Sequence, residues 1–469
     1  MGTIGNLAAL VTKRERNTAL LFLVLVILVK IPTMGLDYHW DAVLFAKQTL
    51  FYADNGPFAL PGGRILHVPL LQWTIAIPFG MFGESPFAAH LVIALFSFIG
   101  VFYTYRLASK IYNQKIGLAA AFLLLFSTAY FSMSGQFLCE VPLAALSTAT
   151  VYYALMENKK AYILFASALV LTKEPGIMTV FAISLYRLIS RRGIRDSVFH
   201  TLPVVAPLAW FLWSFINLGF GPNTAAFINV PIFQVLLRPL EILYTNFTWK
   251  YLWVLSIPLA IRFWKHGSSS EEKCMLLVIS GYAAFFIFLP VFILPRYLLP
   301  VIPLFIIMGT KALSEVSKER FNVAVVALVI LFISTYHFNG GVKGIMQDPV
   351  FSSGFYRLTS VENGEMDMGY TDMVRAQTDA LNYFFDNHPN STVLAKFPIY
   401  EEGLDGIDVG QRNWNEHGVK VVSPDNGTAQ FALVESCCWS NQELDSVKNM
   451  SLEKSFVLGK YQVEIYSNA

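Results

Sequence analysis

Apolar segments long enough to cross a bilayer recur along most of this chain, and they constrain its fold before any motif is read. A spanning helix needs about 20 predominantly apolar residues. Such cores lie near residues 18–36, 87–105, 116–134, 138–156, 160–172, 175–190, 198–219, 249–263, 275–294, 297–310 and 321–338. They predict a polytopic α-helical membrane protein with about 11 transmembrane helices. Lys13, Arg14 and Arg16 precede the first core, and no small-residue cleavage site follows it. That segment reads as a retained first span rather than a removable signal.

Charge divides the chain in two. The formal net charge is only +2, yet residues 1–339 hold 25 Lys and Arg against 14 Asp and Glu, whereas residues 340–469 hold 9 against 18. Charged residues make up 14% of the whole, well below the roughly 25% of soluble domains. The basic excess is scattered between apolar runs rather than gathered in a patch, which argues against nucleic acid as a partner. Four cysteines in 469 residues exclude a disulfide framework.

Basic residues favour the cytoplasmic side of short loops. With the N-terminus cytoplasmic, 18 of the 25 basic residues of the first part fall inside. The other seven, Lys30, Lys47, Arg64, Lys173, Arg238, Lys250 and Arg296, fall in outer connections or helix ends. An odd number of spans then puts the acidic C-terminal part outside, together with the sequons at Asn246, Asn390, Asn426 and Asn449. The expected organisation is a transmembrane module over 1–339 and an extracytoplasmic domain over 340–469. An outer loop at 37–86 carries an amphipathic helix from Asp41 to Ala53 and a Pro-interrupted apolar stretch from Ile65 to Phe82. In the outer domain, a helical run at 371–387 precedes strand-like Thr392–Lys396, Val419–Val422, Gln430–Val434 and Phe456–Ile465, a small α/β pattern. Cys437 and Cys438 are adjacent there.

Charges at membrane depth are costly and therefore candidates for function. Asp37-Tyr38-His39-Trp40-Asp41 follows the first span; Asp41 is either a helix cap or a general base held at the surface. Asp37, His39 and Asp41 could also supply metal ligands, so a divalent metal stays open as a cofactor and none is assigned. Glu140, in a tight outer hairpin, is either a first-turn acid or a carboxylate facing a cavity. Lys173 follows a short apolar segment; it either snorkels, pairs with Glu174, or binds an anion. Arg296 lies among Pro290, Pro295, Pro300 and Pro303, whose freed backbone groups must be satisfied by a cavity or neighbouring protein. Its guanidinium suits phosphate, and interfacial anchoring is the alternative. Lys30 and Lys250 read as interface anchors, and His90 and His337 as structural histidines.

Taken in order, these positions resemble the GT-C superfamily of membrane glycosyltransferases, in the branch of protein O-mannosyltransferases and the lipid A aminoarabinose transferase. Five elements between about residues 18 and 310 carry the resemblance. They are Asp41 through Phe45 to Gly56; His67-Val68-Pro69-Leu70-Leu71-Gln72-Trp73 with Phe82-Gly83; Glu140-Val141-Pro142; Thr172-Lys173; and Arg296-Tyr297-Leu298-Leu299-Pro300. Asp41 is followed by Ala42 where that family has Glu, and Asp37 lies four residues earlier, so both are candidate bases. The hairpin acid is Glu140 where Asp is common.

The resemblance implies a polyprenyl-phosphate sugar donor, an outer or lumenal reaction face and inversion at the sugar. The acceptor would be a hydroxyl on a protein, glycolipid or cell-surface polymer. It implies a catalytic role for Asp41 or Asp37 with Glu140, a donor-phosphate site at Lys173, Arg296 and Arg64, and His39, His67 and Tyr297 as further candidates near the first loop. The membrane would be the plasma membrane in a prokaryote and the endoplasmic reticulum in a eukaryote. The competing readings are a lipid-carrier flippase or transporter and a non-catalytic relative of the same fold. A flippase would carry polar residues along a path through the membrane, whereas the strongest charges here gather at one face.

Overall fold

The protein is described by a computed structural model covering residues 13–60, 67–218, 252–288, 295–336, 368–395, 408–410, 414–423, 429–435, 447–458 and 461–468. Arg64, Arg238, Lys250, His337, Cys437, Cys438, Asn246 and Asn426 lie outside these residues. Among the described residues, three helices are long and apolar enough to cross a membrane: Glu15–Met34, Pro86–Ile111 and Ile194–Asn217. Shorter apolar helices, including Leu70–Phe82, Gln114–Phe126 and Gly176–Ile189, pack among them. The stretch expected as a single core at 116–134 is broken at Ser127, and a short helix, Thr128–Met133, follows the break. The chain is an integral membrane protein, mostly helical, with a small sheet domain at its C-terminal end.

Helix α1 (Lys13–Met34) leads into α2 (Asp41–Asn55) and α3 (Leu70–Phe82), followed by the long α4 (Pro86–Ile111). The centre of the bundle is α5 (Glu140–Leu155), whose residues are buried from Glu140 to Ala154. Its sequence explains why. Ala144, Ala145, Ala149, Ser147, Thr148 and Thr150 are small enough for neighbouring backbones to close on every side. The hydroxyls are satisfied without water: Thr148 donates to the Ala144 carbonyl at 2.8 Å, Thr150 to Leu146 at 2.7 Å, and Ser147 meets Thr179 at 2.9 Å. The next two helices, α6 (Lys159–Val170) and α7 (Gly176–Ile189), pack on α5. Outward faces carry apolar side chains, such as Leu20, Leu28, Leu164 and Val205, as a hydrocarbon surround requires.

Lys30 is not an interface anchor. It is 1% exposed, its ammonium donates to the Phe131 carbonyl, and it lies 3.4 Å from the centroid of the Phe131 ring. A cation placed over a ring face and bonded to a carbonyl can remain inside a bundle. His90 is structural as expected, with Nδ1 3.2 Å from the Met34 carbonyl.

The C-terminal domain packs one helix, α8 (Gly369–Asn387), on a five-stranded sheet. The strands are β1 (Thr392–Leu394), β2 (Lys420–Val422), β3 (Phe431–Glu435), β4 (Ser451–Leu458) and β5 (Tyr461–Ser467), in the order β2-β1-β3-β5-β4. β1 pairs in parallel with β2 and β3, whereas β5 is antiparallel to β3 and β4. The run Phe456–Ile465 is therefore not one strand. It falls into two antiparallel arms, with Leu458 paired to Tyr461. Leu381, Phe384 and Phe385 of α8 meet Val393, Leu433 and Ile465 of the sheet in a separate core. Asn390 and Asn449 are exposed.

Candidate active site

Two of the site's carboxylates stand at the starts of helices. Asp41 is the first residue of α2, and Glu140 is the first of α5. Lys173 sits in the turn just before α7. Helix N-termini present free N–H groups and partial positive charge, so their convergence favours anions. Arg296 arrives from a 3₁₀ turn, Pro295–Val301, ahead of the helix Ile302–Ser317. Pro300, inside that turn, prevents a regular α-helix, because it lacks an N–H and clashes with the preceding turn, whereas Pro303 is tolerated in the first turn of the helix that follows.

These four side chains form one chain of charges. The Arg296 Nη2 donates to Asp41 Oδ2 at 2.6 Å, and Arg296 Nε stands 3.8 Å from Glu140 Oε1. The same Glu140 oxygen accepts from Lys173 Nζ at 2.6 Å. Glu140, Lys173 and Arg296 are all buried, while the Asp41 side chain is 33% exposed and marks the open end. Tyr297 provides the floor. Its ring lies 4.6 Å from Lys173 Nζ and 5.8 Å from the Arg296 guanidinium carbon, and it stacks on Phe286.

Several bland alternatives fall away. Asp41 is not the helix cap: Trp40 occupies that position with φ +46° and no capping bond from its side chain. Lys173 pairs with Glu140 rather than with its neighbour Glu174, so it does not snorkel outward. Arg296 is 5% exposed and ion-paired, unlike an interfacial anchor.

Glu174 holds the first loop instead. Its carboxylate meets His67 Nδ1 at 2.9 Å and accepts from the Val68 N–H at 3.3 Å. The Leu70 N–H donates to the Leu171 carbonyl at 2.9 Å, pinning the start of α3 to the Lys173 turn. Burial pushes the Glu174 carboxyl up, but His67, then a bond from the Glu174 backbone N–H, then Lys173 outweigh this and bring it below the usual carboxylate range. His67 also packs edge-on against Phe45 of α2, with centroids 5.9 Å apart. It braces the loop rather than joining the charge chain.

Asp37 and His39 point elsewhere. Asp37 accepts from its neighbouring Tyr38 N–H at 2.8 Å. His39 stacks on Trp40 and lies against Tyr370 of α8. Asp37, His39 and Asp41 do not converge, and no group of three or more His, Cys, Asp or Glu suited to a metal is found among the described residues.

Residues 408–410 close over this loop in a way the sequence did not signal. Glu84 accepts from the Tyr38 hydroxyl and, at 3.0 Å, from the Gly410 N–H. Gly410 has φ +58°, and a Cβ there would stand 2.0 Å from Asp37 Oδ1. Tyr370 donates to the Gly135 carbonyl at 3.2 Å, tying α8 to the hairpin before Glu140. Gly410→Ala should therefore destabilise the protein by about 1–3 kcal/mol, read as a lower melting temperature. An unchanged melting temperature would contradict this docking.

Residues 66–215 match the family of dolichyl-phosphate-mannose-protein mannosyltransferases. Across 97% of its length, the chain superposes on ArnT from Cupriavidus metallidurans bound to undecaprenyl phosphate, covering 98% of that chain with a TM-score of 0.55 at 13% identity. The chain has an ArnT-like fold. The apo form of the same ArnT gives a TM-score of 0.55 at 14% identity, covering 97% of this chain and 99% of that one. No curated protein matches the sequence. The matched segment contains His67, Glu140 and Lys173; Arg296, beyond it in sequence, meets Glu140, and Asp41, ahead of it, joins through Arg296.

Proposed function

We propose that this protein is an inverting glycosyltransferase that moves a sugar from a polyprenyl-phosphate donor to an acceptor hydroxyl on the outer or lumenal face. The observation that carries the reading is the alternating chain Asp41–Arg296–Glu140–Lys173 at converging helix N-termini. The undecaprenyl phosphate bound to ArnT supports a lipid of that kind as the donor. The basic residues support a bundle of about eleven spans, with the N-terminus cytoplasmic and the acidic 340–469 domain outside.

The chemistry follows from the charges. The acceptor oxygen attacks the anomeric carbon as the bond from that carbon to the phosphate oxygen breaks. The acceptor's proton passes to a carboxylate, and polyprenyl phosphate leaves as an anion. Lys173 and Arg296 stabilise the growing negative charge in a poorly hydrated site. Without donor, Arg296 is engaged by Asp41, and a carboxylate held in an ion pair is a weak base. A phosphate that draws Arg296 away releases Asp41 to accept the proton. Donor binding therefore arms the base. This favours Asp41 over Asp37, which accepts from the Tyr38 N–H and lies beside Gly410. Glu140 holds both cations in place, and His67, through Glu174, positions the first loop. Arg64 is assigned to the donor phosphate by resemblance alone. The acceptor remains a hydroxyl on a protein, glycolipid or surface polymer.

Replacing Lys173 or Arg296 by Gln tests the phosphate site. Hydrogen bonds to charged groups contribute about 1.5–3 kcal/mol, so each variant should bind donor roughly 10- to 150-fold more weakly. Titration of purified protein with a polyprenyl-phosphate sugar checks this, and wild-type affinity in both variants would remove them from the site.

A further inference from the structure

A second basic site lies at the opposite ends of the helices that build the active face. Lys173 precedes the N-terminus of α7, whereas Arg187 is in its last turn. The 14 residues of α7 separate the two by about 20 Å. With Arg187, a cavity of about 550 Å³ there is lined by Glu157 just beyond α5, Lys159 at the start of α6, Arg192, Arg195 and Asp196. Tyr153, Tyr162, Phe199 and His200 line it alongside them.

The cations are only partly answered. Glu157 stands 3.0 Å from Arg192 and 3.6 Å from Arg187, and Asp196 stands 3.4 Å from Lys159 and 3.8 Å from Arg187. Two acids therefore face four bases. Arg187 is 5% exposed; its Nη2 donates to the Ala154 carbonyl, and its buried Nε, 3.8 Å from Asp196, makes no hydrogen bond. A cavity lined by Lys159, Arg187, Arg192 and Arg195 suits a phosphate, which guanidinium groups bind in a forked geometry. Loop basicity alone accounts for orientation in the membrane, but not for a buried arginine lining a cavity of this size. Beside the cavity, Leu188, Ile189, Ile194 and Val198 are exposed apolar side chains. A ligand there meets hydrocarbon and positive charge together, as a lipid with a phosphate headgroup does.

We propose that this cavity binds the phosphate headgroup of an anionic membrane lipid, at the face opposite the site of transfer. On the orientation given above, that is the inner leaflet. The test uses the double variant Arg192→Gln with Arg195→Gln, both exposed side chains outside the proposed transfer machinery. Full-length protein is reconstituted in nanodiscs of equal phosphatidylglycerol and phosphatidylcholine, and the lipids it retains are measured by native mass spectrometry. Wild type should enrich phosphatidylglycerol, and the double variant should lose roughly 10- to 30-fold of that preference, since each basic residue near a lipid surface contributes comparably. Equal enrichment in both proteins, or none in wild type, would overturn the proposal. Displacement of the lipid by millimolar inorganic phosphate, with the same thermal protection from phosphate alone, would assign the cavity to a soluble anion and overturn the lipid assignment. Sugar transfer is not the readout, so failure here leaves the proposed activity to its own tests.

Discussion

Asp41→Asn should lower sugar transfer by about 100- to 10,000-fold, the usual contribution of a positioned general base, while expression and donor binding persist. Asparagine keeps the shape of aspartate and can still accept from Arg296 through its amide oxygen, so the loop and α2 remain in place. What it loses is the ability to take the acceptor's proton. Neutralising Asp41, which is partly exposed at the open end of the charge chain, leaves the buried Arg296 with Glu140 3.8 Å away as its remaining counter-charge. The variant therefore separates chemistry from folding. Single-turnover transfer with donor already bound reads the effect directly. Asp37→Asn, by contrast, should retain most of the rate, since Asp37 faces Tyr38 and Gly410. The opposite ranking would move the base to Asp37.

Glu140→Gln should destabilise the protein by about 3–5 kcal/mol, because removing one partner of a buried ion pair leaves the other uncompensated. Here the other partner is Lys173, buried and 2.6 Å away, and Arg296 loses a neighbour at 3.8 Å as well. Tyr297 offers Lys173 a ring face, which softens the loss without matching a carboxylate. Against a total stability of about 5–15 kcal/mol, this is a large fraction, and the melting temperature should fall accordingly. Adding a polyprenyl phosphate should restore part of it, because a bound anion replaces the missing charge. A variant as stable as wild type would mean that Glu140 does not neutralise the site.

Much of this was legible along the chain, for a physical reason: a charge set among apolar residues is conspicuous. Lys173, Arg296 and Glu140 stand out that way, and the prolines around Arg296 foretell its irregular turn. Who pairs with whom was not legible. Asp41 and Arg296 are 255 residues apart, and Glu140 and Lys173 are 33 apart, so only the packing of helices decides their partners. The cap reading of Asp41 failed because Trp40 takes a left-handed conformation that no local pattern demands of a tryptophan. Lys30 was misread because its partner, Phe131, is 101 residues distant. Glu84 and Gly410 carry no motif at all; they matter because the C-terminal domain folds back over the first loop.

The central claim is that the charge chain serves a polyprenyl-phosphate donor. The most direct measurement incubates purified wild-type protein in lipid with a panel of polyprenyl-phosphate sugars and candidate acceptors. It scores release of polyprenyl phosphate together with gain of sugar on the acceptor. The account predicts stoichiometric release and transfer with at least one donor, abolished in Asp41→Asn. Tight binding of a donor that is carried across the bilayer intact, with no bond to the sugar broken under any acceptor, would contradict it.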